Sequence, residues 1–168
     1  MVDVTGKTST RRVAVAESFV RLAPGTVEAI RRSELKKGDA LAVARIAGLA
    51  AVKRAPDLVL LCHPLLVTHA AVDVALEDAG VRVTARVETT GPTGVEMEAL
   101  TAATAAALNL YDMVKGIERG ATIESTRLLE KAGGRSGPWR RDAAEELGRA
   151  HRAEGEDPAR IGAPDAED

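Results

Sequence analysis

The chain has 168 residues, of which 45% are hydrophobic, 29% charged and only 2% aromatic, and its formal net charge is -2. This length fits one domain with a buried core, which Ala, Val, Leu and Ile must fill because aromatic residues are scarce. The weak charge and the lack of aromatic side chains for base stacking exclude a typical nucleic-acid-binding protein. The single cysteine, Cys62, excludes an intramolecular disulfide and a metal site built from clustered thiolates.

The sequence has no feature typical of a membrane protein. No apolar run approaches the roughly 20 residues that a membrane-spanning helix needs. The first ten residues, MVDVTGKTST, contain no apolar signal region. We therefore expect a cytoplasmic protein without a membrane partner.

The first part of the chain predicts a strand followed by two helices. Residues 12–22 are apolar and alternate loosely, which is typical of a strand, and Pro24 breaks this pattern. Residues 26–35 favour a short helix. Asp39 is a good N-cap for a longer helix rich in small residues, and Pro56 is predicted to end that helix.

The next part predicts a hairpin, a long helix and a closing strand. Apolar and polar residues alternate over 72–76 and again over 81–87, and the turn sequence EDAG joins the two runs. Residues 97–119 have high helix propensity. Residues 121–134 predict a strand that ends in a glycine turn.

The order of these elements predicts an α+β fold. Helices that cover one face of an antiparallel sheet in this order are typical of the ferredoxin-like arrangement. We assign residues 1–137 to a single domain, whose net charge of +2 suits an anionic small molecule. Residues 138–168 carry nine acidic residues and five arginines and few large apolar residues. We expect them to form a charged tail that is disordered or loosely docked.

Two carboxylates, Glu96 and Glu98, flank Met97 directly after a glycine-rich turn. In extended backbone both would point to the same side, opposite Met97. One interpretation is that they are held ready for a cationic group that the fold brings to them. The other is that they only complement the dipole of the helix that begins here. These residues alone leave both interpretations open.

Asp112 and Lys115 lie three residues apart, on one face of the predicted helix. A surface ion pair, worth a few tenths of a kcal/mol, is the simpler interpretation. Residues 99–111 are nearly uncharged, however, so this helix is expected to be buried. A buried carboxylate beside a lysine would favour acid–base chemistry over simple binding.

Histidine and lysine residues complete the set of candidates. His63 precedes Pro64, which favours extended backbone and fixes the direction of the histidine, although a histidine in the core is the more common case. The spacings of Cys62 and the three histidines match no zinc site. Lys37 and Lys131 are candidates because a lysine in a pocket can exchange protons or bind phosphate.

Four blocks of the sequence together resemble the MoaC family, the cyclic pyranopterin monophosphate synthases of molybdenum cofactor biosynthesis. The blocks are KKGDALAVARIAGLAAVKR, LLCHPL, TGVEMEALTA and YDMVKG. They occur in the family's order and spacing, and the resemblance extends from MVDVTGK to about Gly137. Only residues 138–168 lie outside it.

The resemblance implies a lyase and makes residues 1–137 a catalytic domain. The substrate would be (8S)-3′,8-cyclo-7,8-dihydroguanosine 5′-triphosphate, a cyclised GTP derivative, and the products cyclic pyranopterin monophosphate and pyrophosphate. Such a rearrangement needs proton donors and acceptors, and cations that hold the phosphates. We expect no cofactor, with the participation of Mg²⁺ bound to the pyrophosphate left open.

The resemblance also implies roles for individual residues. Asp112 would be the acid–base residue of the active site, and no residue is implied to bind a metal. The other implied catalytic residues are Lys115, Lys131 and Lys37. The implied substrate-binding residues are Leu61, Cys62, His63, Met97, Glu98, Glu96 and Arg12.

Finally, the resemblance implies a homo-oligomer, a hexamer built as a trimer of dimers, with each pocket at a subunit interface. The sequence is compatible with self-association but determines no subunit number. The alternative is a non-catalytic oligomeric module that binds a nucleotide or a pterin in the same basic pocket.

Overall fold

The computed structural model describes residues 1–142, which form four helices and five strands. In chain order the elements are β1 (Thr10–Arg21), α1 (Pro24–Arg31), α2 (Ala40–Val52), α3 (Ala55–Leu58), β2 (Val67–Glu77), β3 (Gly80–Gly91), α4 (Glu96–Val114), β4 (Thr122–Ala132) and β5 (Trp139–Arg140). Most of the predicted tail, residues 143–168, lies outside the described residues. The division of the chain at residue 137 therefore stays a prediction.

The five strands form one antiparallel sheet in the order β2-β3-β1-β4-β5. The main elements follow the order strand, helix, two paired strands, helix, strand, and β1 lies between β3 and β4. This is the ferredoxin-like arrangement, so the predicted α+β fold is confirmed. Helices α2 and α4 pack against each other and against the sheet.

Small side chains allow α4 to lie close to α2 and to the sheet. Gly48 of α2 faces α4, and a methyl group added there would come within 3.1 Å of the Ala102 carbonyl oxygen and of Val72 Cγ1. The completely buried alanines of α4 are Ala99, Ala102, Ala103, Ala106 and Ala107. The core of the described chain is therefore built by close approach of backbones rather than by aromatic side chains.

Two local predictions are confirmed in detail. Strands β2 and β3 pair as the predicted hairpin, and the apolar residues of 81–87 are completely buried on the helix side of the sheet. Asp39 caps α2, because its Oδ1 accepts hydrogen bonds from the backbone N–H groups of Leu41 and Ala42.

The structure confirms one prediction that rests on proline and corrects the other. Pro24 is the first residue of α1, and Pro56 lies in the first turn of α3, whereas α2 already ends at Val52. Proline is tolerated in a first helical turn because the N–H that it lacks has no helical partner there. Strand β1 ends at Arg21, before Pro24 as predicted, whereas Pro56 lies in the first turn of a new helix and does not end α2.

The structure also changes the ends of two predicted elements. Helix α4 ends at Val114, before the predicted end at residue 119. Trp139 and Arg140, which the sequence assigns to the tail, form β5 and pair with Lys131 and Glu130 of β4. The sheet therefore continues beyond the glycine turn that follows β4.

We predict that Gly48→Leu lowers the free energy of unfolding by about 1–3 kcal/mol, because the new side chain meets the backbone of α4 in a closely packed contact. Urea unfolding at fixed protein concentration measures the change. Gly25→Leu is the matched control, since Gly25 also lies in a helix but has no atom near its Cβ position. Equal stability of the two variants would contradict the close packing described for α2 and α4.

Candidate active site

The C-terminal end of α4 carries a cluster of one carboxylate and two lysines. Lys115 Nζ lies 2.7 Å from Asp112 Oδ1, and Lys37 Nζ lies 2.6 Å from Asp112 Oδ2. Lys37 reaches the helix from the turn before α2 and also donates a hydrogen bond to the Asp112 carbonyl oxygen at 2.8 Å. We call this group the Lys37–Asp112–Lys115 cluster.

The two lysines determine the charge state of Asp112. The hydrogen bond from Lys115, followed by that from Lys37, lowers the pKa of Asp112 to about 2. Asp112 in turn raises the pKa of Lys115. At neutral pH the aspartate is therefore ionised, and it becomes an effective proton acceptor only when a bound group displaces one of the lysines.

The prediction that Asp112 is buried is wrong for the single chain. Its side chain is 52% exposed, and those of Lys37 and Lys115 are exposed to a similar degree. Burial in one chain therefore does not distinguish a catalytic cluster from a surface ion pair.

The N-terminal end of α4 borders a cavity of about 550 Å³ that we call the cationic pocket. Among residues 1–142, four cationic side chains and one carboxylate, Glu96, line it. The cationic residues are Lys7, Arg12, Lys131 and Arg135, and the hydroxyl residues are Thr8, Thr10, Thr93 and Ser136. An excess of cations with neighbouring hydroxyl groups is a suitable environment for phosphate groups.

Contacts with α4 and with the loops after β3 and β4 hold Lys131 and Arg12 of the cationic pocket in place. Lys131 Nζ lies 3.5 Å from Glu96 Oε1 and donates a hydrogen bond to Ser136 Oγ at 2.8 Å. Arg12 donates a hydrogen bond to the Pro92 carbonyl oxygen at 3.2 Å. Gly134 has a φ of +76°, and any Cβ atom there would overlap the Arg12 guanidinium. The predicted glycine turn therefore lets the chain pass directly against Arg12.

Glu96 and Glu98 do not point to the same side, although they would have done so in extended backbone. Glu96 is the first residue of α4, so two residues of helix turn the carboxylates away from each other. Glu96 contacts Lys131, which agrees with the expectation of a cationic partner. Glu98 is only 1% exposed and does not line the cationic pocket.

Glu98 contacts the segment between α3 and β2. Cys62 Sγ lies 3.7 Å from Glu98 Oε1, which brings the Leu61–Cys62–His63 block to the first turn of α4. Burial, more than any other cause, raises the pKa of Glu98. Leu61 is largely exposed, whereas Cys62 and His63 are half-buried. Met97 is 39% exposed beside them.

The predicted site residues thus fall into two groups at opposite ends of one helix. Asp112 is fourteen positions after Glu98 in the helix, so their Cα atoms lie about 21 Å apart at the usual rise of an α-helix. Arg12, Lys131, Glu96, Glu98 and the 61–63 block gather at one end. The Lys37–Asp112–Lys115 cluster occupies the other end. A single chain does not bring all the predicted residues together.

The sequence analysis did not single out Lys7, Arg135 or Ser136 as pocket residues. Lys7 follows Gly6 just before β1, and Ser136 and Arg135 belong to the loop after β4. The sequence gives one indication of these residues: they lie in the segments before β1 and after β4, next to the strand ends that carry Arg12 and Lys131. The pairing of β1 with β4 is what brings them together.

Residues 1–142 contain neither a cluster of metal ligands nor a membrane-spanning helix. No group of three or more His, Cys, Asp or Glu side chains is placed to hold a metal ion there. In the same residues no helix is both long and apolar enough to cross a membrane.

Comparison with known proteins identifies the family. The model of the MoaC family matches residues 1–134. The cyclic pyranopterin monophosphate synthase of Deinococcus radiodurans is 55% identical over 139 residues, which cover 83% of this chain and 83% of that protein. The enzyme of the same name from Thermomicrobium roseum is 54% identical over 144 residues, or 84% of this chain and 87% of that protein. The chain belongs to the MoaC family, as its four sequence blocks predict.

Proposed function

We propose that this chain is a cyclic pyranopterin monophosphate synthase. It is a lyase of molybdenum cofactor biosynthesis that rearranges the cyclised dihydroguanosine triphosphate and releases pyrophosphate. The observation that carries the proposal is the cationic pocket, in which four cationic side chains surround a cavity of about 550 Å³ next to two carboxylates at the start of α4. The names of the two relatives support the same activity.

The cationic pocket suits the phosphate end of this substrate. Arg12 and Arg135 offer planar groups that bind two phosphate oxygens at once, and Lys7 and Lys131 add point charges. These cations offset the negative charge that develops on the leaving pyrophosphate. Mg²⁺ bound to the pyrophosphate is compatible with this role. No redox cofactor is needed, because the rearrangement oxidises and reduces no external group.

The carboxylates suit the guanine-derived end of the substrate. Ionised glutamates only accept hydrogen bonds, and the amide and amine edge of a guanine ring only donates there. Glu96 lines the cavity, and the buried Glu98 has one oxygen without a hydrogen-bond partner in the described part of the chain. Leu61 and His63 flank Cys62, which contacts Glu98, and Met97 is the neighbour of Glu98 in the chain.

The acid–base chemistry belongs to the Lys37–Asp112–Lys115 cluster. The Lys115 ammonium is stabilised by Asp112 and serves as a proton donor. Substrate that displaces a lysine from Asp112 would leave a carboxylate free to take a proton. Lys131, from the cationic pocket, would donate a proton to groups close to the phosphates.

The two clusters act together only if two chains combine. We propose that the cationic pocket of one subunit faces the Lys37–Asp112–Lys115 cluster of a neighbouring subunit, since about 21 Å of helix separates them within one chain. A homo-oligomer with shared sites satisfies this requirement, and the hexamer of three dimers is the assembly we propose. We further propose a cytoplasmic location.

One observation favours the alternative, a non-catalytic binding module. Asp112 is half-exposed and already paired with two lysines, which is how a surface ion pair with no catalytic role would look. The alternative predicts tight binding of the nucleotide without turnover.

Replacement of Asp112 tests the catalytic proposal. We expect Asp112→Asn to lower kcat for pyrophosphate release by about 10²- to 10⁴-fold, because the amide cannot exchange a proton. The assay uses the cyclised triphosphate with the purified full chain, and size-exclusion chromatography checks that the oligomer is intact. Asp78→Asn is the control, since Asp78 is fully exposed in the hairpin turn away from both clusters. Full activity of Asp112→Asn would contradict the assignment.

Mixed oligomers test whether the site is shared. Asp112→Asn and Lys131→Ala subunits with different affinity tags are co-expressed, and oligomers that contain both are purified. If each site combines two subunits, random mixing restores about one quarter of the parental activity, because some interfaces unite two intact halves. Each variant alone should stay inactive. Mixed oligomers without recovered activity would show that one chain holds the whole site.

A further inference from the structure

The contact between Cys62 and Glu98 has no role in the proposed function described so far. Cys62 lies in the segment between α3 and β2, and its Sγ is 3.7 Å from Glu98 Oε1 and 3.8 Å from the His63 carbonyl oxygen. A thiol has one hydrogen and donates to one acceptor at a time. The ionised carboxylate is the stronger of the two acceptors.

The two oxygens of the Glu98 carboxyl group differ in their surroundings. Oε1 accepts from Cys62, whereas Oε2 is buried and has no hydrogen-bond partner among residues 1–142. A buried oxygen without a partner is costly, because it has lost water and gained nothing in return. An N–H donor that replaced the protein atoms packed over Oε2 would restore the missing hydrogen bond.

We infer that Cys62 is a positioning residue, whose S–H bond to Glu98 Oε1 fixes the carboxyl group and keeps Oε2 for an N–H donor of the substrate. The identity of that donor rests on the proposed function, whereas the Cys62–Glu98 pair does not. Cys62 thus acts through Glu98 and need not contact the substrate itself.

The charges around the pair agree with this role. The titratable groups that act on Glu98 are Cys62, from the preceding segment, and Glu96, on α4 itself. Burial above all, and the charge of Glu96, raise the pKa of Glu98, whereas a hydrogen bond with its own backbone and then the bond from Cys62 lower it. The pKa of Cys62 is raised, first by burial and then by the Glu98 charge. The thiol therefore stays protonated and keeps its donor.

The first experiment needs no substrate, because Cys62 is the only cysteine of the chain and its S–H stretching band in the Raman spectrum reports one residue. We expect Glu98→Gln to shift this band and to lower the thiol pKa measured by thiolate ultraviolet absorbance. Glu96→Gln is the charge-matched control and should leave both unchanged, since Glu96 is not among the groups that act on the thiol. An unshifted band and pKa in Glu98→Gln would overturn the pair.

The second experiment tests positioning through the pH dependence of kcat/KM. Cys62→Ala should lower kcat/KM by about three- to tenfold, mainly through KM, because one hydrogen bond is lost. The acidic limb of the profile should move to higher pH, since the bond that lowers the Glu98 pKa is gone. Cys62→Ser, which retains a donor, should recover part of both changes.

The outcomes separate the inference from the proposed function. A Cys62→Ala profile with an unmoved acidic limb, or a Cys62→Ser variant no better than Cys62→Ala, would overturn the positioning role. A parent chain without turnover would overturn the proposed function instead, and the Raman result would still decide the Cys62–Glu98 pair.

Discussion

The packing of α4 against α2 and the sheet is the constraint on which the rest of the site depends. The alanine face of α4 is completely buried, and Gly48 brings the two helix backbones close together. A helix held along one whole face by close packing has little freedom to bend or slide. The charged groups at its two ends therefore stay about 21 Å apart, a distance that binding of a small substrate to one chain would not close.

Both ends of α4 carry more positive than negative charge. The cationic pocket has four cationic side chains against Glu96, and the Lys37–Asp112–Lys115 cluster has two lysines against one carboxylate. If the ends of two subunits face each other, these excess charges repel across the interface unless an anion lies between them. A triphosphate substrate is such an anion. The same electrostatics that would weaken an empty interface would then favour substrate binding within it.

The sequence predicts those parts of the structure that depend on neighbours along the chain. Alternation over 81–87 predicts the hairpin, and the three-residue spacing of Asp112 and Lys115 predicts their contact on one helix face. Lys37 joins Asp112 and Lys115 only through tertiary packing. The pairing of β1 with β4 places Arg12 beside the loop after Lys131, and this pairing is interrupted by two register shifts. Such long-range contacts leave no periodic signal. The family resemblance implies a set of site residues but not their division between two ends of a helix.

The two glutamates at the start of α4 show how a small difference in backbone changes the chemistry of identical side chains. Had Glu96 and Glu98 lain in extended backbone, both would have faced the cations of the pocket. Because α4 begins at Glu96, helical rotation leaves Glu96 beside Lys131 and turns Glu98 into the protein, where burial raises its pKa. One carboxylate is thereby available as a counter-ion for a lysine, and the other as a buried acceptor with a free oxygen. A binding surface that needed only negative charge would gain nothing from burying Glu98. A site that must recognise the hydrogen-bond donors at the edge of a ring does gain from a buried acceptor.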